Sequence, residues 1–548
     1  MRKAMTGPMT GRLLLFFAWT TPALLTLGNS ISFTDAALRL LVVAGMAGAL
    51  AFLPGTLWKA ALVASVALIP YTLWWCGFAA VSGGGPGYES AMATLQTNPA
   101  EASGAVGAVL TLPRFFFVAL LHLGLIALAC RAAIAPRDAS FSGADLRATR
   151  LALLVSLIPL VVGAASRAAG YSPAAEFTPL FGRATLDSPL GSAEQIVEAH
   201  RRLGVLWDRR YRRHAAAPGK RVTTPMLAIF VIGESVRADG YGPDRADRGE
   251  ASRYLAQRVS SGLGAWLPET CAASNGTHLS VPMLLTASQP EHRDDAPSSP
   301  TILGILKAAG FTTAWVSNNG GGLDARERGH DIYAGPFTAN PDDRSREGRD
   351  PWKLDEEMLP FVRRFASSVN GPKAMILHTM GSHVPYEARY PEDEFPAEPS
   401  GLNRERKEDL RYARSLEHGA RFFAALAQIL DTTAAPAFLV YTSDHGENLR
   451  SDHNGLLYHL GPRTSSKDGT VPSFVLWNQA MAATGRPARA LTKLIAAHRI
   501  AHADVAKLYL ALSGMTDDAV KPTLLPTIWA KLDIGDEYHV IQCSELRP

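Results

Sequence analysis

The stretch FLVYTSDHGENL, Phe438 to Leu449, drives a run of apolar and β-branched residues straight into Asp444, His445 and Glu447. A core strand gains nothing from two acids and an imidazole at its end, and a solvated turn needs no such strand before it. The triplet therefore either caps a structural turn or holds a ligand. The pattern recurs elsewhere in the chain. PMLAIFVIGES delivers Glu234, FTTAWVSNN delivers Asn318 and Asn319, and KAMILHTMGSH delivers His378 and His383. Glu234, Asp444, His445, His383 and His459 form a carboxylate and imidazole set, whose mixed donors suit Zn2+ or Mn2+ better than Ca2+ or Mg2+. Each has a plainer account taken alone: Glu234 as the acid of a helix N-terminus, Asp444 as an N-cap, His459 as a loop histidine. Their joint arrival at the ends of separate strand-like runs points to a site.

A group-transfer site also needs a nucleophile. SNGTHLSVPMLL offers Thr277 just ahead of Ser280-Val281-Pro282. A hydroxyl is a weak nucleophile until a base or a metal lowers its pKa. Thr277 falls where a turn enters a helix, and helix N-terminal amides suit an incoming phosphate. The alternative is that Thr277 or Ser280 only caps that helix.

The elements that must position these residues alternate. Short β-rich runs from Pro225 onward, VPSFVLWN among them, are separated by helical segments at Pro300–Ala309, Trp352–Ser367 and Lys407–Leu430. Such alternation predicts an α/β domain whose mostly parallel sheet is sandwiched by helices. In open sheets of this kind ligands bind at the carboxyl ends of the strands, where the polar residues above fall.

The first third of the chain has a different character. Of the 548 residues, 47% are hydrophobic, and the apolar ones crowd there. Uncharged runs predict membrane spans at 13–31, 40–58 and 60–82, and shorter segments flanked by arginine add 113–133 and 150–168. Arg2, Lys3, Arg12, Lys59 and the arginines between the last two spans mark the cytoplasmic side. The N-terminus is then cytoplasmic, and the part after the fifth span lies outside. The expected organisation is a five-helix transmembrane domain (1–170), a connector (171–224) and an outer catalytic domain (225–548). Within the connector, Ala193 to His214 reads as a basic amphipathic helix lying on an anionic leaflet. Cys271 and Cys543 are the one outside cysteine pair; an oxidising compartment permits a bridge, but their spacing does not establish it and the reading here is against it. A net charge of +4 says little about nucleic acid, and no such partner is expected.

VIGESVRADGYG, THLSVP, HTMGSHVPYEARYP and SDHGENL followed by NGLLYHLG resemble the serial motifs of the bacterial phosphoethanolamine transferases, lipid A modifying enzymes of the colistin-resistance type. The resemblance covers the whole chain and implies an alkaline phosphatase-like outer domain. It implies that Glu234, Thr277, Asp444 and His445 hold one tightly bound zinc ion, Thr277 also accepting the phosphoethanolamine. His383 and His459 match histidines beside the transferred group, which can hold a second zinc. Asn319, Glu447 and His378 fall among the head-group contacts, and LQTNPAEA would place Thr97 and Glu101 near the lipid donor. The implied partners are phosphatidylethanolamine as donor, lipid A or another envelope glycan as acceptor, and the inner membrane, with the protein a monomer.

The chain departs from that pattern in places. Ala273 and Met283 stand where the family has cysteines, Ala93 and Leu323 where it has asparagine and lysine, and His453 is an extra histidine. Three rival functions remain. One is a phosphoglycerol transferase drawing on phosphatidylglycerol. Another is a sulfatase, which needs a Cys/Ser-x-Pro-x-Arg segment not found at Thr277. The third is a membrane scaffold with an inactive outer domain.

Overall fold

The run Met226–Gly233 carries no charge and is rich in β-branched and aromatic residues, which suits a strand covered on both faces. It forms β1, every residue buried, inside a seven-stranded sheet. The structure is a computed structural model and describes residues 8–25, 43–53, 57–82, 106, 109–110, 112–134, 189, 197, 220–245, 249–296, 299–319, 337–339, 354–368, 370–461, 463–532 and 538–548. Two compact units divide the chain, one drawn chiefly from residues up to Arg201 and one chiefly from Arg202 onward.

In the second unit the further strands are β2 (Gly264–Trp266), β3 (Glu269–Cys271), β4 (Thr312–Ser317), β5 (Phe337–Ala339), β6 (Pro372–His378), β7 (Ala437–Ser443), β8 (Thr470–Val471), β9 (Ser473–Trp477), β10 (Arg499–Ala501), β11 (Thr527–Ala530) and β12 (His539–Gln542). The large sheet runs β2-β9-β7-β1-β6-β4-β5. From β7 to β5 all neighbours are parallel. The sheet is nonetheless mixed, because β9 pairs antiparallel with β7 and β2 antiparallel with β9. A parallel strand requires a crossover to bring the chain back, and β9 follows β8 after Pro472 alone, so it enters the sheet from the opposite end. A smaller sheet, β10-β3-β8, lies apart from it in topology, and β11 pairs with β12.

Alternate residues of β1 feed two cores. Met226, Ala228, Phe230 and Ile232 pack with the helices Thr277–Leu285, Ile302–Ala308, Arg486–Ile495 and His502–Leu512. Leu227, Ile229 and Val231 pack with Glu250–Ser260, Leu359–Ser368 and the long helix Arg404–Thr432. Each large aliphatic or aromatic side chain so buried contributes roughly 1.5–3 kcal/mol. Helices therefore cover both faces, and the strand ends stay free to carry chemistry. Cys271 and Cys543 form a disulfide between β3 and the segment after β12, with Cα atoms 6.1 Å apart. The sequence reading went against this bridge; spacing could not reveal it because 272 residues separate the partners and only the fold brings them together.

The first unit is helical where described. Its helices include α1 (Pro8–Thr20), continued by a 3-10 turn to Leu25, α2 (Leu57–Ala67), α3 (Ile69–Ser82) and α4 (Pro113–Ile134). Among the described residues, α4 is the one helix long and apolar enough to cross a bilayer unaided. The span expected at 60–82 is α2 and α3 together, bent by 61°. Pro70 accounts for the break, since its ring excludes the helical carbonyl four residues back and it offers no N–H. The fifth expected span and nearly all of the connector, including the amphipathic helix, lie outside the described residues. Polar groups in this unit find partners in one another and the backbone: Trp19 Nε1 donates to Ser65 Oγ at 2.9 Å, and Arg12 reaches the Leu53 carbonyl at 2.5 Å. Phe117, Leu120 and Val63 face outward, exposed.

Back in the second unit, His418 on the long helix Arg404–Thr432 is buried between two acids. Its Nδ1 bonds Glu394 at 2.5 Å and its Nε2 lies 2.5 Å from Glu356. Burial opposes the charge, but the two carboxylates outweigh it and hold the imidazole above its ordinary 6.5. Stability from this bridge is complete below the unfolded value and is lost as pH rises through the raised folded value. We expect the melting temperature of the wild type to fall relative to that of His418→Gln as pH is raised from about 6 to about 9, as followed by calorimetry.

Candidate active site

The site grows from two strand ends. The β1–β7 register sets Gly233 opposite Ser443, so Glu234 and Asp444 leave the sheet side by side. The Asp444 N–H extends the ladder to the Gly233 carbonyl at 2.9 Å. Ser235 then turns the chain through a left-handed φ of 59°, a conformation that costs a non-glycine residue on the order of 1–3 kcal/mol. The turn lets its hydroxyl donate to Glu234 Oε1 at 2.9 Å and its N–H to Asp444 Oδ1 at 3.3 Å. Gly381, after β6, lies against the Glu234 backbone so closely that a Cβ would come within 2.6 Å of its carbonyl oxygen. No larger residue fits there.

His445 is held by its own loop. Its Nδ1 lies 2.8 Å from the Gly446 carbonyl, which can only accept, so Nδ1 carries the proton. In the neutral ring the Nε2 lone pair then faces Glu234 Oε1 and Asp444 Oδ2, each 3.3 Å away. Thr277 completes the group from the first turn of the helix Thr277–Leu285. Its Oγ1 donates to Asp444 Oδ2 at 2.7 Å and lies 3.2 Å from both Glu234 Oε2 and His445 Nε2.

Glu234, Asp444 and His445 are all fully buried, and one ligand atom from each lies within 4.8 Å of the others. Two carboxylates and an imidazole lone pair converging out of water repel one another, and a cation at their meeting point converts that repulsion into coordination. A ring whose second nitrogen donates to a backbone carbonyl is also the usual arrangement of a metal-bound histidine. The residues present fit a divalent cation.

The other expected residues divide. Asn319 joins the group, donating to Glu234 Oε2 at 2.8 Å. His459 stacks near His445, ring centres 4.2 Å apart, and His383 lies 5.5 Å from His459. Burial first, then the charge of Arg389, pushes His383 down to about 4. Burial, then His445 and His383, holds His459 well below its ordinary value. Glu447 is fully buried, 3.5 Å from His459 Nδ1. Burial and then Asp468 raise it well above the usual carboxylate range. His378 stands apart from the triad, beside Ser317 and Trp315. The extra His453 is exposed and sits by Glu405. Thr97, Glu101, Ala93 and Leu323 lie outside the described residues.

Several supports went unread in the sequence. Asn275 donates to Asp468 at 2.9 Å and accepts from Tyr538, bracing the turn before Thr277. Asp355 accepts the N–H groups of Met380 and Gly381 and the Asn318 side chain, fixing the loop that carries His383. Asp355 opens a 3-10 turn and Asp468 lies in a one-turn helix, neither directly after a strand, so no pattern marked them. Ala273 and Met283, the positions where cysteines were expected, instead share a small apolar cluster with Ala296.

Removal of one carboxylate, by Glu234→Gln or Asp444→Asn, is expected to lower divalent-cation affinity by about a hundredfold or more, since even outer-shell partners cost about ten- to a hundredfold. Isothermal titration of the metal-stripped protein measures this. Affinity unchanged in both variants would remove these residues from the ligand set.

A sulfatase family profile matches residues 227–515, more than half of the chain. Phosphoethanolamine transferase EptA of Escherichia coli (strain K12) is 28% identical over 269 residues, covering 46% of this chain and 46% of that protein. Phosphoethanolamine transferase CptA of Salmonella typhimurium is 21% identical over 328 residues, 55% of this chain and 52% of that protein. The chain thus matches about half the length of these curated relatives. Among solved structures, the integral membrane protein lipooligosaccharide phosphoethanolamine transferase A (EptA) from Neisseria meningitidis aligns over 98% of both chains with a TM-score of 0.62 and 18% identity, a likeness of fold. With its profile spanning β1 through the last helix over the sheet, the chain belongs to the sulfatase family of the alkaline phosphatase superfamily.

Proposed function

We propose that the chain is a zinc-dependent phosphoethanolamine transferase of the bacterial inner membrane, with its catalytic part in the periplasm. It would move phosphoethanolamine from phosphatidylethanolamine to lipid A or another envelope glycan through a phosphothreonine at Thr277. The observation that carries this reading is the Thr277 hydroxyl, 2.7 Å from Asp444 and 3.2 Å from Glu234 and His445, in a chain whose relatives are named phosphoethanolamine transferases. Family membership does not bring sulfate chemistry with it, because the nucleophile segment reads Thr277-His278-Leu279-Ser280-Val281-Pro282 rather than Cys/Ser-x-Pro-x-Arg. The domain plan (transmembrane 1–170, connector 171–224, catalytic 225–548) belongs to the same proposal.

Glu234, Asp444, His445 and Thr277 would hold one zinc ion and His383 with His459 a second, supplying charge that lowers the hydroxyl pKa and polarises the phosphoryl oxygens. The chain's own residues do the rest. Thr277 directs its proton to Asp444 Oδ2 and so presents a lone pair to phosphorus. The new Oγ–P bond forms as the bond to diacylglycerol breaks, and diacylglycerol leaves with a proton. In the second step an acceptor oxygen attacks the same phosphorus, the Oγ–P bond breaks, and Thr277 recovers its proton. With no second zinc on them, His383 and His459 would instead offer nitrogen acceptors for the acceptor's proton, since burial disfavours their charged forms. Glu447 is held toward its neutral form by burial, and the ammonium of ethanolamine is a cation that would let it ionise.

Thr277→Ala should abolish transfer with folding intact, and mass spectrometry of the resting wild type should find phosphoethanolamine on the peptide carrying Thr277; modification of another residue would relocate the nucleophile. His459→Ala should slow discharge of that intermediate by about a hundredfold, so that modified Thr277 accumulates. Purified full-length protein offered labelled phosphatidylethanolamine or phosphatidylglycerol should consume the first. Consumption of the second alone would make it a phosphoglycerol transferase, and consumption of neither a scaffold.

A further inference from the structure

His502 lies outside the set described above, yet it touches both halves of the site. It opens the helix His502–Leu512 and is buried. Its Nδ1 lies 3.1 Å from the Ala273 amide and 3.3 Å from Ser280 Oγ, and its Nε2 lies 2.9 Å from the Ser443 carbonyl. An amide needs an acceptor and a carbonyl needs a donor, so the ring is neutral with its proton on Nε2. Ala273 precedes Thr277 by four residues, Ser280 follows it by three, and Ser443 immediately precedes Asp444. One imidazole therefore holds the nucleophile segment at the Ala273 amide, ahead of Thr277, and ties it to the strand end that bears Asp444 and His445. Ser280 adds a direct strut, its hydroxyl donating to the Asp444 carbonyl at 2.5 Å.

The grip has a rigid root. Asp504 accepts from the Ala501 and Thr523 amides at 3.0 and 2.8 Å, fixing the start of the helix. Farther along, Tyr509 donates to the Ala228 carbonyl of β1 at 3.1 Å. The nucleophile helix needs such an anchor. It has nine residues with Pro282 inside, its N-cap is Gly276 with no side-chain cap, and Ala273 and Met283 offer only apolar contact.

We propose that His502 is a positioning residue for phosphoryl transfer: its Nδ1 sets the Thr277 segment and its Nε2 sets the Asp444–His445 strand end, one nitrogen for each half of the site. The inference rests on the phosphothreonine reading for its first half. Glutamine places an amide nitrogen near the position of Nε2 and keeps the donor to Ser443, while losing the acceptor for Ala273. Asparagine places its oxygen near Nδ1 and keeps that acceptor, while losing the donor. The two variants therefore separate the roles.

The test uses full-length protein in detergent, with melting temperature, zinc affinity by chelator competition, and the rate of phosphoethanolamine appearance on Thr277 from phosphatidylethanolamine in mixed micelles. His502→Gln should form the phosphothreonine about tenfold or more slowly with zinc affinity nearly unchanged, because a misplaced nucleophile loses rate and not metal. His502→Asn should show the reverse emphasis, with zinc affinity down by about tenfold. A general loosening of the core lowers both readouts together in both variants. That outcome overturns the proposal, as do unchanged readouts or failure of both variants to fold, which would assign His502 to stability alone. If the wild type gains no phosphoethanolamine on Thr277, the phosphothreonine reading fails, while the zinc arm still decides the Nε2 role.

Discussion

Two carboxylates and an imidazole lone pair meet at one fully buried point, and the surrounding structure is arranged to keep them there. Left without a positive charge, such a cluster would lower its energy by taking up protons, admitting water or swinging apart. The backbone closes off the last of these. The parallel register of β1 and β7 fixes the spacing of Glu234 and Asp444 through the backbone, and the Gly446 carbonyl fixes the face that His445 presents. Ser235 stores strain in its left-handed turn to hold Glu234 from behind, and Gly381 closes off the space beside it. The sheet's hydrophobic cores lie on both faces and run up to the cluster, with Val236 and Leu449 on one face and Val281 on the other.

Polarity around that point is graded. On one side Asn319 and Thr277 donate hydrogen bonds into the carboxylates. On the other, His383 and His459 are half-buried and Glu447 is fully buried, and desolvation pushes each toward its neutral state. The first environment suits a fixed cation and the second suits proton movement or an arriving ammonium. The two environments adjoin, with the His445 and His459 rings 4.2 Å apart.

Bracing of the segment around Thr277 follows a different plan from the one the family resemblance suggested. Where cysteines were expected, Ala273 and Met283 pack against Ala296. The stiffness comes from polar ties instead: Asn275 to Asp468, Ala273 to His502, and Ser280 to Asp444. The one disulfide of the second unit, Cys271–Cys543, secures β3 just upstream and leaves Thr277 free of covalent constraint.

Residue chemistry that depends on local order was legible from the chain alone. An apolar, β-branched run ending in acids and histidines marks a strand and its functional end, because side-chain period and polarity are local properties. β1, β4, β6 and β7 with Glu234, Asn319, His383 and Asp444 were read in this way. The direction of β9 was not legible, since it depends on where the preceding segment leaves the chain. Neither were the Cys271–Cys543 bridge, the bend at Pro70, nor the supports Asp355, Asp468 and His502. Each of these acts across long separations or through a backbone group, and a backbone amide or carbonyl has no letter in the sequence. The donor set was written in the chain; the convergence of its members on one dry point was decided by strand register and backbone hydrogen bonds, which exist only once the sheet has formed.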